Sequence, residues 1–574
     1  MNRFRPFILA FIVLMSALLA YGVWTLPKPQ PVDAQGFSSA RVVKDIEVIS
    51  KEHHSVAHPQ ERALVREYLV QRLEGLGADS VSLFEYDSLT SPKDRPFVYT
   101  FDAVDILAEF PPQNPSEDDT YLMFVAHYDS RYAQIMPKDT VWSYGAADDG
   151  YGLGVTLETV SQLLKQREHW KQGVKILFTD AEEVGMMGMK AIWENDRQVF
   201  DNVGLVINVE ARGPYGPALL FESCPGNEKV MDLYAGSAKY KYTYSLTTVV
   251  YGFMPNFTDF TIIKDDVPGL NFSTIADVNH YHTDLDNFGN INEKSIQHYG
   301  EQILPVAMAY VTGDEYADKE YLKSDKDATN FSIPAIGLLN FSKTGYVIFN
   351  AAVFLLFLLV FALEGIRGRL KAAKVFKVSV SVLFIGIGVL AFGELVAYLC
   401  SLAAGAKFKP FGTIQGVGFD NLAMIAATVL IAGVSVLVYI MMRKKAVRQV
   451  SGSMRASAAA NAASRHAYTY LYGTLALMLV LSVALLLAIG ENLMFIIPLA
   501  CATAAMIIYH LTSCRFFMVL AIGVVLLHAF SFYFALAMAL TIGAYGAVAM
   551  LAFFDLMVLI SLADLYMIST AKKK

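Results

Sequence analysis

Three short stretches hold the residues best able to do chemistry. TYLMFVAHYDS ends an apolar run with His127 and Asp129, GAADDGYG presents Asp148 and Asp149, and KILFTDAEEVGMMG ends a second apolar run with the adjacent pair Glu182 and Glu183. Glu210 closes GLVINVE, and His282 sits in the polar stretch NHYHTDLDN. Imidazoles and carboxylates gathered where buried strands stop make either a metal site or an acid–base site. Two histidines and three carboxylates suit zinc, which takes nitrogen and oxygen ligands. One carboxylate can bridge two ions roughly 3.5–4 Å apart, and Asp148 lies between the other candidates in chain order. Glu182 stands beside Glu183, and neighbours at a strand end point apart. One can therefore bind metal while the other meets the water as a general base, passing its proton to the leaving amine.

These residues need a sheet to bring them together. Strands are expected near SVSLFEY, FDAVDILAEF, TYLMFVAHY, KILFTD, VGLVINVEA and PALLFES, and helices at SSARVVKDIEVIS, QERALVREYLVQRLEGLG and DGYGLGVTLETVSQLL. Helical patterns alternate with the later strands, so residues 39–316 read as an α/β domain with a mostly parallel central sheet flanked by helices. Its candidate site lies at the carboxyl ends of the strands.

The rest of the chain is of another kind. Of 574 residues, 55% are hydrophobic, and the long apolar runs concentrate after residue 343. The start, MNRFRPFILAFIVLMSALLAYGVW, places two arginines before a long apolar run without a clear small-residue cleavage site. Residues 1–38 are expected to be a membrane anchor and spacer, with a cleaved leader as the alternative. Residues 317–343 are polar and expected to be a linker. Residues 344–574 hold runs long enough to span a bilayer, forming an all-α transmembrane bundle. The basic stretches GIRGRLKAAK, RKKAVRQVSGSMR and AKKK all fall on the cytoplasmic side if the spans number eight; a ninth would move the tail outside. The domain at 39–316 then lies outside the cytoplasm. A bacterial inner membrane with a periplasmic domain is the preferred reading, an organelle lumen the alternative.

The pieces AHYDS, GAADDGYG, AEEVGMMGM, NVEARG and YHTDLD, in this order, resemble metallopeptidase family twenty-eight, the co-catalytic zinc aminopeptidases. HPQERALVREYL resembles the family's opening segment. The resemblance implies two zinc ions per chain held by His127, Asp148, Glu183, Glu210 and His282. Asp148 would bridge them, Glu182 would be the base, and Asp129 would support the first position. It implies peptide substrates and hydrolysis at their N-termini. The layout of anchor, peptidase domain and multi-span region resembles a narrower group, the endoplasmic-reticulum metallopeptidases of the Felix-ina type with their vacuolar and bacterial relatives. Two departures stand out: Asp149 and Tyr151 replace a common Asn and small residue, and the spans number nearer eight than nine. Two other readings keep the fold: a single-zinc acyltransferase like the glutaminyl cyclases, or a scaffold with an idle ectodomain.

Some features carry less. With 53 acidic and 46 basic residues and no basic patch interleaved with aromatics, nucleic acid is excluded as a partner. Four cysteines, one of them in the α/β half, imply no disulfide framework. His53, His54 and His58 precede the core and fit no ligand spacing, so they read as surface or packing residues. Asp286 reads as structural support. Glu394 and Asp555 lie inside apolar runs and read equally as paired acids or as functional ones.

Overall fold

The computed structural model describes residues 4–22, 26–92, 99–135, 140–252, 256–412, 414, 418, 422–448 and 456–568. The chain divides into two compact units: one is Trp24–Ser332 with Gly337–Lys343, the other Met1–Val23, Ile333–Ile336 and Thr344–Lys574.

After α1 (Arg5–Tyr21), which belongs to the second unit, the first unit begins with α2 (Ser39–Ile49) and α3 (Pro59–Gly75). Strands β1 (Ser80–Thr90), β2 (Thr100–Phe110) and β3 (Tyr121–His127) follow, then a two-residue ribbon of β4 (Gln134–Ile135) and β5 (Thr140–Val141). Helix α4 (Gly150–Leu164), β6 (Gly173–Thr179), α5 (Met187–Asn195), β7 (Val203–Ala211) and β8 (Leu219–Ser223) come next. The unit continues through α6 (Glu228–Ser237), α7 (Ser245–Gly252), α8 (Phe260–Ile263), β9 (Gly269–Thr274), α9 (Glu293–Thr312), β10 (Thr329–Ile333) and β11 (Gly337–Phe341).

Seven strands form one sheet in the order β1-β2-β6-β3-β7-β9-β8. The four inner strands β6, β3, β7 and β9 run parallel; β2 and β8 join their flanks antiparallel, and β1 pairs antiparallel with β2. The inner strands are buried almost throughout, which is why YLMFVA and KILFT read as apolar runs without alternation. Helix α4 packs across β3 and β7 and is itself covered by α2 and α9, while α3 and α5 pack on β1 and β2. Helices α2 and α4 approach closely at Gly154, where an added Cβ would lie 2.7 Å from Val42 Cγ1.

Parallel pairing sets His127 opposite Thr179 and Glu210 opposite Ser273, so the carboxyl ends of β3, β6, β7 and β9 share one edge. Strand β9 was not among the expected strands. Its sequence GLNFST is short and half polar, yet all six residues are buried. The polar ones are satisfied inside: Asn271 Nδ2 donates to Glu222 Oε2 at 3.0 Å and to Thr258 Oγ1 at 2.9 Å.

Residues 317–343, expected as a linker, are largely folded into this unit. Leu322 and Phe331 are buried, the Ala328 amide donates to Asn227 Oδ1 at 2.7 Å, and Phe331 bridges to Tyr244. The segment is polar by count, but Leu322, Ala328 and Phe331 are buried, while Tyr321 and Ile336 stay exposed.

The second unit is helical: α1, then α10 (Lys343–Ile366), α11 (Ala372–Ala403), α12 (Leu422–Arg448), α13 (Ala456–Ile489), α14 (Leu493–Thr512), α15 (Phe516–Leu540) and α16 (Tyr545–Met567). Among the described residues, six helical stretches are long and apolar enough to cross a membrane, and α1 is a shorter apolar helix. The last stretch, Phe516–Met567, counts 52 residues. A 3₁₀ turn at Thr541–Ala544 breaks it, and the Arg515 guanidinium donates to the Ile568 carbonyl, so its two ends meet in a hairpin. Arg5, at the start of α1, donates to the carbonyls of Tyr566 at 3.0 Å and Ile568 at 3.1 Å.

Candidate metal centre

His127 is the last residue of β3, on an inner strand, and is 1% exposed. Its Nδ1 lies 2.9 Å from the Asp129 carbonyl and 3.5 Å from Asp129 Oδ1. Nδ1 therefore carries the proton, and Nε2 turns a lone pair inward. That nitrogen is 3.3 Å from Asp148 Oδ1 and 3.7 Å from Glu210 Oε2. On the other side, His282 Nε2 is 3.4 Å from Asp148 Oδ2 and 3.2 Å from Glu183 Oε2. Two groups result, His127–Asp148–Glu210 and Asp148–Glu183–His282, each with its ligand atoms within 4.8 Å of one another. Asp148 is common to both and offers a different oxygen to each.

Local structure explains how distant residues reach these places. Asp148 precedes α4, and the Asp148–Asp149 peptide is cis. Asp149 caps that helix by accepting from the Gly152 amide at 2.9 Å. The loop before it is clamped by Asp286, which accepts from the Ala147 amide at 2.7 Å, the Asp148 amide at 3.3 Å and the Ser143 hydroxyl at 2.9 Å. Asp286 thus supports the position of Asp148 from the far end of the domain.

Glu182 and Glu183 follow β6 on a turn in which Ala181 takes a left-handed φ of 56°. Glu183 is buried and Glu182 partly exposed, as adjacent side chains pointing apart require. Asp129 reaches this turn too: its Oδ1 accepts from the Glu182 amide at 2.8 Å and its Oδ2 from the Glu183 amide at 3.3 Å. One carboxylate therefore orients His127 and fixes the glutamate pair. Behind it, Asp180 is locked by Arg62 at 3.1 Å, by the Tyr128 hydroxyl at 2.9 Å and by the Val104 amide at 3.1 Å. His282 also has a positive φ of 61°, and the Tyr281 ring stacks on its imidazole at 3.5 Å.

The electrostatics describe a pocket short of positive charge. Burial pushes Glu182 well above the usual carboxylate range; His127 opposes this, and Glu210, Asp259 and Glu183 add to it. Burial also pushes Glu210 up to about 8, against His127 and with Asp148. Burial disfavours a charged His127, yet its hydrogen bonds to the Asp129 and Asp148 carboxylates outweigh it and raise the ring well above its ordinary value. Glu183 differs: burial works against its charge, but His282 and Arg131 together bring it below the ordinary range. Crowded carboxylates of this kind need cations, and the donor set of two imidazole nitrogens and three carboxylates is one zinc accepts. Glu183 Oε1 is buried with no hydrogen-bond partner among the described residues, which again fits a ligand atom. The residues present therefore fit the metal.

All seven candidates from the sequence meet in this one place. Arg131 was not among them. It is buried, and its Nη1 donates to Glu183 Oε2 at 3.0 Å and to the Glu183 carbonyl at 2.8 Å. A single arginine after HYDS has no spacing signal. Of the early histidines, His54 is buried with a pKa lowered to about 4 by that burial, and its amide donates to Ser130 Oγ at 3.1 Å, behind Asp129. Its Nδ1 lies 2.9 Å from the Glu52 carbonyl, and it is in neither ligand group.

Residues 105–307 match the family described as peptidase family M28. The chain is 25% identical over 334 residues to "Endoplasmic reticulum metallopeptidase 1" of Mus musculus, covering 54% of this chain and 34% of that protein. It is 26% identical over 345 residues to "Vacuolar membrane protease" of Pyrenophora teres f. teres (strain 0-1), covering 55% of this chain and 34% of that one. The chain thus spans about a third of the length of these curated relatives. Among solved structures, the Bacteroides thetaiotaomicron glutaminyl cyclase bound to N-acetylhistamine is 18% identical, covers 48% of this chain and 98% of its own, and superposes with a TM-score of 0.38. With the matched span enclosing His127, Asp148, Glu182, Glu183, Glu210 and His282, the chain carries a domain of peptidase family M28.

Proposed function

We propose that this chain is a membrane-anchored di-zinc metallopeptidase, an aminopeptidase that removes N-terminal residues from peptides outside the cytoplasm. The observation that carries the proposal is the division of Asp148 between two ligand groups, one oxygen to each. His127 and Glu210 would complete one position, Glu183 and His282 the other. Zinc ions bound there would polarise the scissile carbonyl and acidify the attacking water.

The remaining steps belong to the protein. Glu182 is beside the ligands without being in either ligand group, and is partly exposed. Its carboxylate would accept the proton of the attacking water and return it to the leaving amine nitrogen. Asp129 would hold the ligand His127, through its Nδ1, and the base Glu182, through its amide, in register. The names of the relatives, a metallopeptidase and a protease, support the same activity. The ectodomain would face a periplasm, with an organelle lumen as the alternative.

The specific contact between Arg131 and Glu183 favours a second reading. It engages a ligand of one group and leaves the other complete, as a single-zinc acyltransferase of the glutaminyl cyclase kind would need. The purified full chain decides between them by metal content and by cleavage of aminoacyl-arylamides with and without chelator. Two zincs per chain and chelator-sensitive cleavage are expected. Glu182→Gln should retain both metals and lose about 10²–10⁴-fold in kcat. Cleavage undiminished in that variant would end the peptidase mechanism.

A further inference from the structure

The helical unit holds a crevice of about 490 Å³ between α11 and α12, floored by α13 and α16. Its walls run from Val382 to Phe392 on α11 and from Leu430 to Tyr439 on α12, with Tyr470 and Met557 beneath. That stretch of α11 is about 15 Å long at 1.5 Å per residue. One leaflet of a bilayer core has about the same thickness, half of roughly 30 Å. The lining is almost wholly apolar. Two of its hydroxyls point elsewhere: Ser435 Oγ donates to the Ile431 carbonyl at 2.6 Å, and the Tyr439 hydroxyl to Asp564 at 3.2 Å.

The two ends of the crevice differ in charge. The rings of Tyr439 and Tyr470 meet at 5.3 Å, and Arg443 pairs with Asp564 at 2.8 Å, so the end of α12, the start of α13 and the end of α16 lie together. The start of α11 joins them, since Ser379 Oγ donates to the Gly473 carbonyl at 2.7 Å. Here α11 contributes Lys374 and Lys377, α12 contributes Lys444 and Lys445, and α13 contributes Arg465, all exposed. Asp564 is already engaged by Arg443. At the opposite end, the first ionisable residue past Phe392 is the acidic Glu394.

We propose that the crevice is a binding site for one anionic phospholipid from the leaflet at the basic end. One acyl chain lies between α11 and α12, and the phosphate rests on the lysines. An apolar slot one leaflet deep that ends in a ring of cations matches that molecule along its whole length. The site depends on the membrane reading of these helices and not on the hydrolase.

The test uses the full chain in detergent with palmitoyl-oleoyl phosphatidylglycerol or phosphatidylcholine, and native mass spectrometry counts the lipids retained. The wild type should keep one phosphatidylglycerol, at least about tenfold in preference to phosphatidylcholine. Ser435→Phe, which fills the slot, should keep none, and Lys377→Gln with Lys444→Gln and Lys445→Gln should bind the two lipids equally. A phosphatidylglycerol with a photoreactive acyl chain, used on the wild type, should cross-link to Val389 and Val434. Equal retention of both lipids by the wild type would overturn the site. So would undiminished retention by Ser435→Phe, cross-links only outside the crevice, or a second copy of the chain cross-linked there.

Discussion

Asp286 touches none of the proposed ligands except through the amide of Asp148, yet it accepts three hydrogen bonds from the loop that carries it. Asp286→Ala should lower zinc affinity by about 10–100-fold, the usual cost of removing a group that orients a ligand. Equilibrium dialysis of the purified chain reads this, and unchanged affinity would show that the loop is set by other contacts. Arg131 works in the opposite sense. It places a fixed positive charge 3.0 Å from a carboxylate that is also to hold a cation. Arg131→Gln should tighten zinc at the proposed Asp148–Glu183–His282 position by at least about tenfold, because like-charge repulsion at this depth exceeds the value of one hydrogen bond. Arg131→Lys should leave it near the wild-type value. The contrast between these two residues shows what the sequence could convey. His127, Asp148, Glu183, Glu210 and His282 each follow a recognisable run or sit in a polar motif. Arg131 and Arg62 do not, since a lone arginine gains its meaning only from what folds beside it.

Helix α9 contains a different kind of histidine. Nδ1 of His298 accepts from the Ala218 amide at 3.1 Å and from Gln302 Nε2 at 2.9 Å, so a proton there would face two donors. Burial lowers its pKa from 6.5 to about 3. Between those values the unfolded chain binds the proton and the folded chain does not. Stability from this contact is therefore complete above about pH 6.5 and is lost as the pH falls toward 3, by about 1.4 kcal/mol per pH unit at the steepest. His298→Asn keeps an acceptor without the titration and should flatten the acid limb. Tryptophan fluorescence is a suitable probe, because Trp142, Trp170 and Trp193 belong to the peptidase unit and the helical unit's described residues hold no tryptophan. An acid limb identical in the variant would refute the assignment. At this scale the inner strands β3, β6 and β7 were legible as apolar runs. Strand β9 was not, because its buried faces carry Asn271 and Ser273 with partners the sequence does not display. Nor was the folding of residues 317–343, where a few inward side chains outweigh a polar composition.

For the whole molecule, the apolar helices could be read by length, the last two as separate spans, but the turn between α15 and α16 falls at Thr541–Ala544 rather than near residue 534. The 52 residues of Phe516–Met567 hold no Pro, and the turn at Thr541–Ala544 and the meeting of Arg515 with Ile568 fix where they fold back. With α1 there are eight apolar helices among the described residues. If each crosses once and the N-terminus is cytoplasmic, the loop between α14 and α15 is cytoplasmic as well. Cys514 in that loop is exposed, while Cys224 and Cys400 are buried. A membrane-impermeant maleimide should reach Cys514 only in inverted vesicles, and labelling of intact right-side-out vesicles would contradict the eight-span arrangement.

The peptidase unit is entered from one apolar helix, α1, and left through another, α10. A catalytic head with a single stalk can be shed by one cut. If α1 and α10 both cross the bilayer, this one is leashed fore and aft, so a nick on either side leaves it attached by the other, and release demands two.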